Sequence, residues 1–132
     1  MADELSLNFF KMENFTSAGK LRIFVSSTDQ FRQMPLYEFI VLQAKKDGIA
    51  GSTVTKGILG YGASSVIHSY KFWEVSDKVP VIVELVDKED KVLSFFEKIR
   101  PQLEVMRYGC LATFDKTTVL LYKSGQKPAS DI

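Results

Sequence analysis

Val79-Pro80-Val81-Ile82-Val83-Glu84-Leu85-Val86 is the stretch on which the reading of this chain turns. It is apolar almost throughout, and only Pro80 near its start and Glu84 near its end interrupt it. A short run of this kind predicts a central strand buried on both faces. Such a strand needs neighbours, and the flanking sequence supplies them in both directions.

Upstream, Asp77-Lys78 reads as a turn, and His68 to Val75, with Tyr70, Phe72 and Trp73, reads as a third strand. The Val79–Val86 run either continues that strand after the turn or pairs beside it. The segment from Gly57 to Ser65 is rich in glycine and serine, and a second strand precedes it from about Thr53 to Leu59. From Lys20 onward, Leu21, Ile23 and Val25 alternate with Arg22 and Phe24, the period of a half-buried first strand. Ser26-Ser27-Thr28-Asp29 ends it with turn formers, after Ser17-Ala18-Gly19 has read as a break. Pro35 suits the first turn of a helix. Leu36, Ile40 and Ala44, flanked by Tyr37 and Val41, give that helix a buried face. Lys45-Lys46 sit against its terminal carbonyls, and Gly48 is the expected left-handed cap.

Downstream, Asp87 is placed to cap a second helix, with Glu89 and Asp90 favourable in its first turn. Val92, Phe95, Phe96 and Ile99 form one stripe, and Pro101 is expected to end or kink the helix. Leu103 and Met106 share a face of a further short turn. Leu111 to Phe114 is the expected last core strand, and Val119 to Tyr122 an additional one. The order is βαββαβ, an α+β, ferredoxin-like antiparallel sheet with two helices on one face. Its other face is left uncovered, which predicts association. The divisions expected are an N-terminal extension over 1–19, the domain over 20–122, and a flexible tail over 123–132. Phe9, Phe10, Met12 and Phe15 make the extension too apolar for a solvated tail, so a short docked element is expected there.

Composition narrows the function classes. Lys plus Arg total 17 against 16 Asp plus Glu, and this balance offers nucleic acid or an anionic membrane no global attraction. A single cysteine, Cys110, excludes an internal disulfide and a thiol-rich metal site. No apolar run approaches a membrane span, and Met1-Ala2-Asp3-Glu4 lacks the start of a signal peptide, so a cytoplasmic protein without membrane insertion is expected.

The strongest local feature is Gly57-Ile58-Leu59-Gly60-Tyr61-Gly62-Ala63-Ser64-Ser65-Val66-Ile67-His68. A strand rather than a helix follows these glycines, which removes the dinucleotide fingerprint, and no Lys-Ser or Lys-Thr pair makes a P-loop. Gly60 and Gly62 permit positive φ and close approach of a ligand to the backbone, and Ser64 and Ser65 add hydroxyl donors. A long hairpin connection that uses glycine only for its turns is the competing reading. His68 is the only histidine and has neither a second metal ligand at suitable spacing nor a catalytic partner. Glu84 either pairs with a lysine or arginine or faces a cleft. Tyr70, Phe72 and Trp73 suit a core or subunit contact better than a nucleobase platform.

These residues are similar to a known family. Leu21-Arg22-Ile23-Phe24, Pro35-Leu36-Tyr37-Glu38, Gly48-Ile49-Ala50-Gly51-Ser52-Thr53-Val54, Gly57 to His68 and Val79 to Glu84 resemble the PII-like family catalogued as domain of unknown function 190. Gly60-Tyr61-Gly62-Ala63-Ser64-Ser65 followed by His68 is the most specific part, and Gly109-Cys110-Leu111-Ala112-Thr113 resembles the family's final core strand. The resemblance implies a PII-like homotrimer with clefts between subunits, in which the Gly57–His68 loop binds a small-molecule ligand and engages a target protein. Two departures count against assuming a nucleotide. Met106-Arg107-Tyr108-Gly109-Cys110 lacks the glycine-, aspartate- and lysine-rich loop that grips phosphates in PII proteins, and the tail lacks their paired arginines.

The expectation is a non-enzymatic regulatory sensor with no resident cofactor and no bound metal. Its small, anionic ligand, an adenine nucleotide among the candidates, is met by Lys56, Gly57, Gly60, Tyr61, Gly62, Ser64, Ser65, His68, Glu84 and Arg107. The alternative is a metal- or anion-responsive trimer similar to CutA-like proteins, with His68 repeated by symmetry and no nucleotide binding. An enzyme using His68 as acid or base ranks last.

Overall fold

A computed structural model describes residues 17–62, 68–69 and 78–126 of the chain. Alternation builds the central strand β1 (Ala18–Ser26): Leu21, Ile23 and Val25 are buried, while Lys20, Arg22 and Phe24 face the other way and remain half-buried. The strand begins inside the expected break, with Ala18 and Gly19 buried in it. A Cβ on Gly19 would run into the Phe114 ring and lie 3.0 Å from Val92 Cγ2, so only glycine fits there.

Asp29 closes the end of β1. Its carboxylate Oδ2 accepts the Ser26 amide at 2.9 Å, its own amide reaches the Ser26 carbonyl, and its carbonyl accepts the Leu36 amide at 2.8 Å. Between Asp29 and the first helix lies a miniature hairpin of β2 (Gln30–Phe31) and β3 (Met34–Pro35). Its two-residue turn places Arg32 at φ 52° and Gln33 at φ 66°, the left-handed pair that a type I′ turn demands. No Asn-Gly or Asp-Gly signal announces it, and Phe31 packing on Phe39 at 4.2 Å helps hold it.

Helix α1 (Leu36–Lys46) buries Leu36, Ile40 and Ala44, as its periodicity predicts. It ends in a Schellman arrangement: Gly48 at φ 77° donates to the Lys45 carbonyl, and Ile49 donates to that of Ala44. The chain then enters β4 (Gly51–Lys56) and crosses to the short strands β5 (Leu59–Gly60) and β6 (His68–Ser69), which pair with each other. The expected second strand is therefore two strands, parted at Gly57–Ile58.

β7 (Pro80–Lys88) lies between β4 and β1 in the core sheet, which runs β4-β7-β1-β8 with every pair antiparallel. Of the His68–Val75 segment, His68–Ser69 pairs with Leu59–Gly60 outside the core sheet, and residues 70–77 lie outside the described residues. β7 is interior, yet only Val81, Val83, Leu85 and Asp87 are buried. Ile82, Glu84 and Val86 are half-buried on the helix-free face, so the strand is buried on one face rather than two.

Helix α2 (Glu89–Val105) starts after Lys88, and Asp87 does not cap it in the expected way. The Asp87 carboxylate accepts the Ala50 amide at 2.9 Å and the Lys88 amide at 2.7 Å, tying the start of β4 to the end of β7. Pro101 lies inside α2 and does not end it, and Leu103 continues the buried stripe of Val92, Phe95 and Ile99. The last core strand, β8 (Leu111–Thr117), completes the sheet; no strand occurs among residues 118–126, where Val119–Tyr122 was expected to form one. The core lies between one face of the sheet and both helices, with Ile23, Val81, Val83 and Leu85 against Leu36, Ile40, Val92 and Ile99. The expected N-terminal element, the Tyr70, Phe72 and Trp73 cluster and the end of the tail fall outside the described residues.

Candidate ligand cavity

Four strand ends meet at one end of the sheet. β1 finishes there, β7 and β8 begin there, and β4 gives way to the β5–β6 arm. Between these ends lies a cavity of about 580 Å³. Its floor is made of Phe24, Ile82 and Leu111, which face one another across three strands in the register Phe24↔Ile82 and Phe24↔Leu111. Leu59, Gly60, Tyr61 and Gly62 of the arm form one side. Arg107, Tyr108, Gly109 and Cys110, the approach to β8, form the other.

Pro80 sets the root of the arm. The Gly57 amide donates to the Pro80 carbonyl at 2.7 Å, extending the β4–β7 ladder by one bond. A Cβ on Gly57 would come within 2.8 Å of Pro80 Cγ, and one on Gly60 within 3.4 Å. These glycines let the arm cross a rigid ring at close range. Positive φ, the reason expected at Gly60 and Gly62, is found at neither; among the described glycines only Gly48 adopts it.

Lys78 and Arg107 bring two cations to the cavity, and the Arg107 guanidinium lies 5.2 Å above the Tyr108 ring. Asp29, 4% exposed, supplies a carboxylate to the lining. Burial pushes the Cys110 thiol above its ordinary pKa, and the negative charge of Asp29 adds to the effect. A neutral, half-buried thiol is a wall group rather than a nucleophile. Apolar walls, aromatic rings and a few cations suit a ligand with an apolar or planar body and an acidic group.

Of the residues expected to bind a ligand, Gly57, Gly60, Tyr61, Gly62 and Arg107 come together on this cavity. Lys56 ends β4 as an exposed side chain and does not line it. Glu84 lies on the helix-free face, where Arg22 Nε donates to its carboxylate at 3.0 Å, the pairing that residue chemistry allows. Ser64, Ser65 and the side chain of His68 lie outside the described residues. Asp29, Lys78 and Cys110 were not expected at the site. Nothing local marks them, because each reaches it only through strand pairing. Among the described residues no group of three or more His, Cys, Asp or Glu side chains is arranged to hold a metal ion. No described helix is long and apolar enough to cross a membrane.

Comparison with known proteins agrees with this architecture. A UPF0166 protein of Aquifex aeolicus is 38% identical over 80 residues, covering 61% of this chain and 76% of that protein. A UPF0166 protein of Methanocaldococcus jannaschii is 35% identical over 79 residues, covering 60% and 72%. Among solved structures, the nitrogen regulatory PII-like protein CPII of Thiomonas intermedia K12, bound to ADP, AMP and bicarbonate, superposes with a TM-score of 0.54 at 16% identity, over 77% of this chain and 89% of CPII. A PII-like signalling protein of Thermus thermophilus superposes with a TM-score of 0.52 at 20% identity, over 79% and 90%. At these identities the likeness to the solved structures is one of fold. Residues 18–119 match the family described as DUF190, uncharacterized ACR, COG1993, and with the greater part of the chain inside that match, this protein belongs to the DUF190 family.

Proposed function

We propose that this protein is a PII-like regulatory sensor, without catalytic activity, that binds a small anionic ligand in the cavity at the root of its β5–β6 arm. The observation that supports this most is the meeting of Gly57, Gly60, Tyr61 and Gly62 with Lys78 and Arg107 around one apolar space. An adenine nucleotide fits that chemistry, with its base against the aromatic and aliphatic walls and its phosphates toward the cations. The fold shared with CPII, solved with ADP, AMP and bicarbonate, favours the same ligand class. In this reading the protein is a cytoplasmic homotrimer, the cavities open into clefts between subunits, and His68, Ser64 and Ser65 complete the contacts from the arm. Ile58, Leu59 and Tyr61 are 69%, 64% and 73% exposed on that arm, an apolar display suited to a target protein. Ligand binding orders the arm and thereby changes what it offers the target.

Titration calorimetry with ADP, AMP, ATP and bicarbonate tests the reading. Saturable heat with at least one of them is expected, and Lys78→Ala or Arg107→Ala should each weaken binding about tenfold, the ordinary loss for a charge-assisted contact. Absence of heat and of thermal shift with all the nucleotides would remove the nucleotide version.

A further inference from the structure

Val119-Leu120-Leu121-Tyr122 follows the last core strand and belongs to no strand itself. Val119 and Tyr122 are half-buried, which turns the two leucines between them outward, 81% and 70% exposed. Single apolar residues on a surface need no partner, but an adjacent pair within an apolar run calls for one. The run lies at the end of the sheet opposite the cavity, where β1 begins and β8 finishes. Ala18 and Thr117 are register partners there, so the chain before Ser17 and the chain after Thr117 leave the sheet side by side. The Ser17 carbonyl, which accepts the Glu89 amide at 3.0 Å, fixes the first of these exits.

We infer that the N-terminal extension of the same chain covers Leu120 and Leu121 with the side chains of Phe9, Phe10, Met12 and Phe15. Reach allows it: Phe10 is within about 23 Å of Ser17 along the chain, and Leu121 within about 13 Å of Thr117. The apolar content of the extension matches what a leucine pair removes from water. Charge matches as well. Asp3, Glu4 and Glu13 outnumber Lys11 in the extension, whereas the exposed Lys116 and Lys123 flank the leucines, and Asp115 stands opposite Lys20 in the β1–β8 register. Lys116 is 80% exposed even with Glu89 Oε1 at 3.9 Å from its Nζ, which leaves it open to a further carboxylate. A segment tethered beside its own docking site meets it at an effective concentration in the millimolar range, well above that of a separate chain. The inference rests on neither the ligand reading nor the oligomer reading.

Lys11 is the only lysine or arginine before Lys20, so tryptic cleavage after it reports on the extension alone. The full chain is treated with trypsin over a dilution series, and release of the 1–11 fragment is timed by mass spectrometry. A synthetic peptide of residues 1–19 gives the uncovered rate. Cleavage in the full chain is expected to be about tenfold slower than in the peptide, a factor that burial of one leucine side chain is enough to supply. Leu120→Ser combined with Leu121→Ser should raise the rate to that of the peptide. Phe9→Ser combined with Phe10→Ser should do the same, measured against a peptide carrying those two changes. Joining all four substitutions should add nothing further, the non-additivity expected of groups in direct contact. Urea unfolding of each variant separates loss of cover from loss of fold. Cleavage of the wild type at the peptide rate overturns the inference and leaves the leucines to an outside partner. Protection that survives loss of both leucines overturns it too, since the extension then docks elsewhere. Protection that disappears on dilution assigns the cover to a second copy and overturns it as well.

Discussion

Cys110 and Gly57 show how a residue's role depends on what is folded against it. Cys110 reads from sequence only as a lone cysteine without a disulfide partner, yet it is half-buried on a cavity wall beside the Asp29 carboxylate. Burial and that charge both disfavour the thiolate, so alkylation of Cys110 should rise with pH along a curve displaced above that of a free thiol. Asp29→Asn should move the curve back down, and rates measured against a model thiol check both. Gly57 reads as one glycine of the Gly57–His68 loop, and its structural role is close approach to Pro80. Gly57→Ala should therefore cost about 1–3 kcal/mol in urea unfolding, as overpacking does, because the pyrrolidine ring cannot bend away. The Gly57–His68 loop was legible as a candidate site because glycine, serine and tyrosine are visible locally. Asp29 and Lys78 were not, since 49 residues separate them in sequence and only strand pairing brings them to one lining.

Among the elements, α1 and β1 were read correctly because their periods of 3.6 and 2 are local properties. Pro101 was expected to end or kink α2, yet the helix continues past it, since propensity counts the lost hydrogen bond but not the burial of Leu103 beyond it. Pro101→Ala should stabilise the protein by about 2 kcal/mol, the helix-propensity gain less the entropy returned to the unfolded chain, as read from the denaturation midpoint. The two helices are joined by Lys98 Nζ, which donates to the Asp47 carboxylate at 2.9 Å just past the end of α1. That bond chiefly holds the Asp47 carboxyl below its ordinary pKa; burial opposes it, and Gln43 makes a lesser contribution in the same direction as Lys98. The stability it adds is present above the ordinary carboxylate range and disappears as pH falls through the depressed value. Asp47→Asn should cost about 0.5 kcal/mol near neutral pH, the usual worth of a surface pair, with the difference from wild type vanishing in acid. The Val119–Tyr122 expectation failed for the converse reason: strand propensity by itself does not secure a pairing partner.

For the whole molecule the decisive object is the four-stranded sheet and the helices on one of its faces. Ile23, fully buried in the central strand, packs in the core that both helices share, so Ile23→Ala should cost about 2–5 kcal/mol, a large part of the stability of a domain this size. Chemical denaturation followed by circular dichroism measures it. The βαββαβ order, the faces of β1 and α1, the Gly48 cap and a sheet face that no described helix covers were all set by the sequence alone. They depend on side-chain period, caps and turn chemistry, which act over a few residues. Tertiary structure alone decided that β7 lies between β4 and β1 in the sheet, and that His68–Ser69 pairs with β5 outside it. It also decided that Glu84 pairs with Arg22 and stays out of the cavity, and that Asp29, Lys78 and Cys110 meet around it. Those outcomes depend on which strand edges pair and in what register, and pairing is a contest between distant segments that no local pattern resolves.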